Sequence, residues 1–129
     1  MITAGIDCGA KTTKAVVMQD GNIIGKGKVP TGFDQGRAAE DSLDLAAKQA
    51  GIAPKDIQRI FGTGSGKQAV KIANTSVNDI KAMARGVFHF FPKARTVADV
   101  GAEEARAARL DEKGRPVDWI GVAVGCGYY

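Results

Sequence analysis

The sequence predicts an α/β fold in which helices pack on a central mixed sheet. Three observations support this prediction: the chain opens with three short apolar runs separated by turn residues, a long stretch of helical apolar spacing follows, and strand-like and helix-like patterns then alternate. A chain of 129 residues can bury roughly two-thirds of its unfolded surface. We therefore expect one domain, residues 1–129, without an internal linker.

The first three elements are expected to form an antiparallel meander of strands. Two apolar runs, Ile2–Ile6 and Ala15–Met18, flank the polar turn Asp7–Lys11. The third strand, Asn22–Val29, follows the turn residues Asp20-Gly21. This order places Asp7 at the end of a strand.

A helix is predicted between Asp34 and Gly51, because its apolar residues recur at helical spacing and a glycine ends it. The next strand, Ile57–Phe61, leads into the glycine-rich turn Gly62–Lys67. A short helical stretch, Gln68–Ala73, is expected after this turn.

The rest of the chain is predicted to contain one more helix and three strands. Asn74-Thr75-Ser76 resembles a helix cap, and the helix would cover Val77–Phe91 and stop before Pro92. The strands are Thr96–Val100, Ala105–Leu110 and Val117–Val124. The stretch Glu103–Arg106, which includes the start of the second of these strands, is interpreted as a solvated edge.

The charge pattern makes only a weak case for a nucleic-acid partner and fits small anionic ligands as well. The formal net charge of +4 is mild, and basic residues are interspersed with acidic ones. The two cysteines, Cys8 and Cys126, lack the paired spacing of a zinc site or of a secreted disulfide framework. No stretch approaches the ~18 apolar residues of a membrane span. We expect a cytoplasmic protein whose partners include neither nucleic acid nor membrane.

Three polar turns follow predicted strands, namely Asp7–Lys11, Gly62–Lys67 and Asp99–Glu104. Ligands of such sheets usually bind at the carboxyl ends of strands, so we expect the three turns to converge on a phosphate ligand. In the first turn Asp7 suits a hydrated magnesium ion, and Gly9 lets backbone amides approach a phosphate.

Residues that follow the first turn would add donors to this phosphate site. Thr12 and Thr13 carry hydroxyl groups, and Lys14 carries an ammonium group. An ordinary hairpin, in which Asp7 and Gly9 only shape the turn, is the alternative that these residues leave open.

The glycine-rich turn does not match the standard nucleotide motifs. A Walker loop would need glycine where Phe61 stands and Ser or Thr where Gln68 stands, and a dinucleotide fingerprint would need glycine at Lys67. A plain flexible turn is the commoner explanation of such glycines. The third turn supports the phosphate interpretation, because Asp99-Val100-Gly101 repeats the pattern of Asp7-Cys8-Gly9.

Several motifs, taken in order, resemble one protein family. They are Thr3 to Lys14, Pro30-Thr31-Gly32-Phe33-Asp34, Thr63-Gly64-Ser65-Gly66, Ala84-Arg85-Gly86 and Ala98-Asp99-Val100-Gly101-Ala102-Glu103-Glu104. They are similar to the amino-terminal half of the ATPase subunits of benzoyl-CoA reductases and of the activators of 2-hydroxyacyl-CoA dehydratases. The resemblance implies an actin-like, sugar-kinase-like ATPase fold whose first half is ribonuclease-H-like. It also implies that ATP hydrolysis is coupled to low-potential electron transfer from a 4Fe–4S cluster held between two subunits.

The resemblance also implies site residues. Asp7 would hold magnesium through water, and Asp79 would orient the water that attacks ATP. The phosphates would be bound by two motifs and the glycine-rich turn, through Gly9, Lys11, Thr12, Thr13, Lys14, Gly64, Asp99 and Gly101. As an alternative, Asp79 is only an early helix carboxylate that the helix dipole favours.

The chain also departs from the family pattern. Gly101-Ala102-Glu103-Glu104 replaces the Gly-Gly-Gln-Asp of many activators, which would weaken the second phosphate motif. Cys126 lies near the place of the family's cluster cysteine but in another context. Two copies of Cys126 would supply only two ligands, so a buried or terminal thiol is favoured over a cluster ligand.

Two functions follow from the resemblance and from the length of the chain. As the amino-terminal lobe of a larger fold, the chain would act as an ATPase within a complete assembly, because closure around a nucleotide needs both lobes. Its partners would be reductase or dehydratase subunits, or a second copy of the chain. The alternative is a noncatalytic module that keeps the nucleotide-binding fold and serves subunit interaction.

Overall fold

Residues 1–123 are described by the computed structural model of the chain. Contacts between Cα atoms divide the chain into two units, and the second unit begins at Asn78. Unit 1 is Met1–Val77, and unit 2 is described from Asn78 to Ala123. No helix of the described residues is both long enough and apolar enough to cross a membrane.

Unit 1 is built on a five-stranded mixed sheet. Its strands are β1 (Ile2–Cys8), β2 (Thr12–Gln19), β3 (Asn22–Pro30), β4 (Arg59–Thr63) and β5 (Thr75–Ser76). Their order in the sheet is β3-β2-β1-β4-β5. The first three strands form the predicted antiparallel meander, whereas β4 runs parallel to both β1 and β5. The carboxyl ends of β1 and β4 therefore meet at one edge of the sheet.

The helix of unit 1, α1 (Gln35–Ala50), covers the apolar face of this sheet. Asp34 caps its first turn by accepting a hydrogen bond from the amide of Arg37 at 2.9 Å, and Gly51 ends it in a left-handed conformation. Both ends agree with the prediction. Leu43 of the helix is buried against the strands. The other buried residues of this core are Ala4, Ile6, Cys8, Ala15, Val17, Ala39, Ala46, Ile57 and Val70.

The segment after β4 differs from the prediction. The stretch predicted to be helical over residues 68–73 contains only a single 3-10 turn, Lys67–Ala69. The predicted helix cap at residues 74–76 is wrong, because the Asn74 amide and side chain hydrogen-bond to the backbone of Ile60 at 2.8 and 2.7 Å. These bonds align the next two residues with β4 as the short strand β5.

Unit 2 contains one helix and a three-stranded antiparallel sheet. Its elements are α2 (Asp79–Phe90), β6 (Thr96–Val100), β7 (Glu104–Leu110) and β8 (Pro116–Ala123), with β7 in the middle of the sheet. Asn78 caps α2, so the helix begins two residues later than predicted. The core of unit 2 is small and consists of the buried residues Ile80, Ala84, Ala108 and Leu110.

Candidate functional site

The first predicted phosphate turn lies at the carboxyl edge of the sheet in unit 1. It connects β1 to β2, and the Gly9 amide donates to the Thr12 carbonyl at 3.1 Å to close it. A side chain at Gly9 would place its Cβ 2.6 Å from that carbonyl oxygen. The turn therefore requires glycine for its own backbone contact as well as for access by a ligand.

Strand alternation sends the charged residues of this turn away from the core. Asp7 pairs with Lys14 across β1 and β2, whereas the neighbouring residue Cys8 points inward. The Lys14 ammonium lies 3.3 Å from the Asp7 carboxylate, and both side chains are nearly half exposed. Lys11, at the tip of the turn, is exposed as well. One carboxylate and two ammonium groups are thus accessible to an anionic ligand and its cation.

Thr13 has a different environment from its neighbours. Its side chain is fully buried, and its hydroxyl lies 2.9 Å from the hydroxyl of Thr31. Thr31 in turn donates to the Gly9 carbonyl at 2.8 Å. Because Thr31 uses its single proton there, Thr13 is the donor between the two threonines. These buried hydrogen bonds hold the Gly9 carbonyl from the protein interior. Thr13 therefore positions the turn and does not face a ligand.

The glycine-rich segment packs directly against the first turn. Gly64 has a φ of +93°, and a Cβ on it would lie 2.4 Å from the Cys8 carbonyl oxygen and 2.5 Å from an Asp7 carboxylate oxygen. The Gly66 amide donates to the Cys8 carbonyl at 2.9 Å. Only glycine fits this close approach with a positive φ. Two of the three predicted polar turns are therefore brought together, with Gly64 beside Asp7.

Gly66 is a structural residue of this edge that sequence reasoning did not select. A Cβ at this position would lie 2.7 Å from the sulfur of Cys8 and 2.9 Å from the Gln35 amide nitrogen. The alternation of glycines over residues 62–66 is the sequence signal for it, but a plain flexible turn is the commoner explanation of such a pattern.

The third polar turn belongs to unit 2. It joins β6 to β7, and the Gly101 amide donates to the Glu104 carbonyl at 2.7 Å. Asp99, one residue before the end of β6, has a side chain that is 53% exposed. Gly101 thus closes this turn by the same type of backbone bond that Gly9 makes in the first turn.

Arg106 lies within ion-pair distance of three carboxylates of unit 2. Its guanidinium lies 3.4 Å from Asp79 and 3.9 Å from Asp99, and it also pairs with Glu104. Its side chain is only 17% exposed, so the interpretation of Glu103–Arg106 as a solvated edge is wrong for this residue. Asp79 is the first residue of α2 and is nearly as buried as Arg106. The cross-strand pairing of Asp99 with Arg106 could not be recognised before the register of β6 and β7 was known.

A hydrated magnesium ion fits the donor set of unit 1. Such an ion keeps most of its waters and needs one or two carboxylates plus the phosphates of its substrate. Asp7 supplies one accessible carboxylate. Within residues 1–123 there is no group of three His, Cys, Asp or Glu side chains that would hold a metal ion by itself. Cys126, the predicted candidate for a cluster ligand, lies outside the described residues.

Comparisons with known sequences identify related proteins along almost the whole chain. A sequence model of the BadF/BadG/BcrA/BcrD ATPase family matches residues 4–123. The activator of lactoyl-CoA dehydratase from Anaerotignum propionicum is 34% identical over 114 residues, which are 88% of this chain and 44% of that protein. A benzoyl-CoA reductase subunit from Thauera aromatica is 29% identical over 119 residues, with 88% and 42% covered. The chain thus spans less than half the length of these curated relatives.

Comparisons with solved structures support the fold. The activator of the 2-hydroxyisocaproyl-CoA dehydratase from Clostridium difficile, solved with bound ADPNP, matches with a TM-score of 0.86 and 27% identity over 95% of this chain and 46% of that one. ROK hexokinase from Thermus thermophilus matches with a TM-score of 0.61 and 17% identity, covering 91% and 48% of the two chains. The predicted ribonuclease-H-like half of an actin-like, sugar-kinase-like ATPase fold is confirmed.

Proposed function

The chain belongs to the BadF/BadG/BcrA/BcrD ATPase family, and we propose that the sheet edge of unit 1 binds the phosphates of ATP. The close approach of Gly64 to Asp7 carries this proposal, because it joins two turns of the kind that cradle phosphates. The related activator solved with ADPNP supports ATP as the ligand.

Each residue of the first turn has a proposed role in this site. Asp7 holds magnesium through water, and the exposed ammonium groups of Lys11 and Lys14 neutralise phosphate charge. Gly9 and Gly64 leave room for backbone amides to approach the phosphates. Thr12 supplies a hydroxyl from the start of β2, and buried Thr13 keeps the turn in place.

In unit 2 we propose roles for Asp79, Asp99 and Gly101. Asp99 and Gly101 form the second phosphate motif, and Asp79 orients the attacking water as in other phosphoryl-transfer enzymes. Asp79 is paired with Arg106 at 3.4 Å, and its carboxylate oxygens are acceptors for a hydrogen bond from water.

The proposed biological role is that of a lobe within a larger ATPase assembly. In this assembly ATP hydrolysis is coupled to low-potential electron transfer into a CoA-thioester reductase or dehydratase, whose subunits are the proposed partners. A homodimer of the chain is a second proposed association. Magnesium accompanies ATP, and the 4Fe–4S cluster is proposed for the complete family protein, with Cys126 as one candidate ligand. We propose the cytoplasm as the location.

A noncatalytic interaction module is the second candidate function, and the sheet of unit 2 favours it. Cross-strand register places Val100 and Val122 on the same face of the sheet, with Ile120 one pair further along. Their relative exposures are 82%, 58% and 66%. Exposed apolar side chains that share a sheet face are typical of surfaces that bind another protein chain.

Calorimetric titration with Mg-ATP and Mg-ADP tests the ATP proposal directly. We expect the chain to bind both nucleotides and the Asp7→Ala variant to lose this binding, because the variant removes the carboxylate of the proposed magnesium site. Asp44→Ala is the matched control, since Asp44 is an exposed carboxylate on α1. Undiminished binding by the Asp7→Ala variant would overturn the assignment of this site. The absence of heat at millimolar nucleotide, with unchanged thermal stability, would favour the interaction module.

A further inference from the structure

Unit 2 contains a cavity that includes none of the residues proposed for ATP. Its volume is about 410 Å³, which is within the range of cavities that bind small molecules. One wall is formed by the cap and first turns of α2, from Asn78 to Arg85. The other wall is formed by the turn between β7 and β8 and by Trp119 on β8.

Four cationic side chains line this cavity. Lys81 and Arg85 come from α2, and Lys113 and Arg115 come from the turn. Arg115 pairs with Asp111 at 2.8 Å. Hydrogen bonds from the backbone and side chain of Arg115 hold the pKa of Asp111 below its usual range, so this carboxylate remains ionised and paired.

The other three cations are not neutralised. Within residues 1–123, no carboxylate lies within salt-bridge distance of Lys81, Arg85 or Lys113. The described lining residues include no acidic side chain. The cavity therefore has an excess of three positive charges and suits an anion that carries more than one negative charge.

The positions of Lys81 and Arg85 on α2 strengthen this charge argument. The two residues are four apart, so their side chains are neighbours on one helix face, where like charges disfavour the helix. Lys81 also lies in the first turn of α2, where the helix dipole adds further positive potential. A bound anion would relieve both sources of repulsion.

The remaining lining residues offer an apolar and partly flat surface. Trp119 is 58% exposed, and Ile80 and Pro116 line the same cavity. An exposed indole beside cations is suited to stacking on the flat ring of a ligand that also carries negative charge. A free inorganic anion would use the cations and leave this surface unused.

We propose that this cavity binds a small phosphate monoester with a flat aromatic ring, such as a nucleoside monophosphate. Lys81, Arg85 and Lys113 bind the phosphate, and the ring stacks on Trp119. None of the lining residues is proposed to bind ATP, although Asp79 lies between the lining residues Asn78 and Ile80 in the chain. The two proposals are therefore separated by the variants described below.

Fluorescence of the complete chain provides the test, because Trp119 is its single tryptophan. We expect AMP to change the emission in a saturable manner, and calorimetry to give the same affinity. Adenosine and inorganic phosphate should each bind at least about tenfold more weakly, because each lacks one of the two recognised groups. Raising the salt concentration should weaken AMP binding by screening the exposed cations.

Variants decide which residues are responsible. The double variant Lys81→Ala/Arg85→Ala should bind AMP at least about tenfold more weakly, because two charge-assisted contacts are lost. A matched double variant, Lys93→Ala/Arg109→Ala, removes the same charges from exposed positions elsewhere in unit 2 and should bind normally. In the Asp7→Ala variant, AMP should still change the fluorescence of Trp119 even if Mg-ATP binding is lost. This result would distinguish AMP binding in the cavity from binding at the proposed ATP site.

Three results would overturn the proposal. The first is that millimolar AMP changes neither the fluorescence of Trp119 nor the heat in calorimetry. The second is that the Lys81→Ala/Arg85→Ala variant binds AMP with the same affinity as the unaltered chain. The third is that the Asp7→Ala variant loses AMP binding. Binding of a peptide rich in Asp and Phe, with no response to AMP, would instead assign the cavity to an acidic protein partner.

Discussion

At the scale of single residues, the first phosphate turn depends on hydrogen bonds beneath its surface as much as on its exposed charges. Thr31 connects the Gly9 carbonyl to the buried hydroxyl of Thr13. Neither threonine needs to touch a ligand for the turn to keep its shape. The side chains that do reach solvent, Asp7 and Lys14, alternate with inward residues because strands have a period of two.

This arrangement predicts that Thr31→Val is more destabilising than Thr13→Val. Removing the Thr31 hydroxyl leaves the Gly9 carbonyl without this donor and leaves the Thr13 hydroxyl with only its 3.7 Å contact to the Cys8 sulfur. The expected cost is about 1–3 kcal/mol in the free energy of unfolding. Removing the Thr13 hydroxyl leaves the bond between Thr31 and Gly9 intact and should cost about 0.5–1.5 kcal/mol. Urea unfolding measures both values.

The control for these two variants is Thr75→Val, because the Thr75 side chain is exposed and its hydroxyl is 3.5 Å from the Ser76 carbonyl, which is a long contact. It should unfold at nearly the same urea concentration as the unaltered chain. If Thr13→Val proved as costly as Thr31→Val, the assigned direction of donation between the two threonines would be wrong.

At the scale of elements, α1 approaches β3 so closely that two strand residues must be glycine. A Cβ on Gly25 would lie 2.1 Å from the Ala46 carbonyl oxygen, and a Cβ on Gly27 would lie 2.2 Å from the Ser42 carbonyl oxygen. Both contacts are with helix backbone, which cannot move aside as a flexible side chain can. The helix backbone therefore packs directly against the two glycines of β3, where no side chain intervenes.

The element-scale prediction concerns Gly25→Ala. The added methyl group must displace α1 from the sheet, which should cost about 1–3 kcal/mol or more through overpacking. Lys26→Ala is the control, because Lys26 lies on the same strand with an exposed side chain and should change stability little. Thermal unfolding followed by circular dichroism compares the two variants. Equal melting temperatures for both would contradict the direct contact between α1 and β3.

At the scale of the whole molecule, each unit has a hydrophobic core of its own. The residues of the larger core all lie between Ala4 and Val70, and those of the smaller core lie between Ile80 and Leu110. The proposed first phosphate site also lies entirely within unit 1. We therefore predict that residues 1–77 fold alone and give a dispersed proton–nitrogen NMR spectrum.

A shorter fragment, residues 1–63, provides the comparison for this prediction. It keeps β1 to β4 but lacks Val70, which is buried in the larger core. It should lose stability, because that part of the core is opened to water. If the proton–nitrogen spectrum of residues 1–77 has the narrow dispersion of a random coil, unit 1 needs the rest of the chain to fold.

The local pattern of the sequence was sufficient for most of the elements. Apolar alternation, the turn residues and the caps of α1 predicted β1 to β4, α1 and the three strands of unit 2 to within a few residues. The segment after β4 was mispredicted, because Asn74 has cap-forming chemistry but uses it to bond Ile60 on a neighbouring strand. Local propensity does not include such a tertiary partner.

What the sequence determined by itself was the fold class, the family and the identity of the turns with phosphate-binding chemistry, because these depend on periodicity and on short motifs. Tertiary structure alone decided that Gly64 contacts Asp7, that Thr13 is buried, and that Arg106 joins Asp79 to Asp99. It also decided which cations surround the cavity beside Trp119. These relations join residues that are distant in the chain. They arise from the strand register and helix packing that bury the two cores, so no local pattern encodes them.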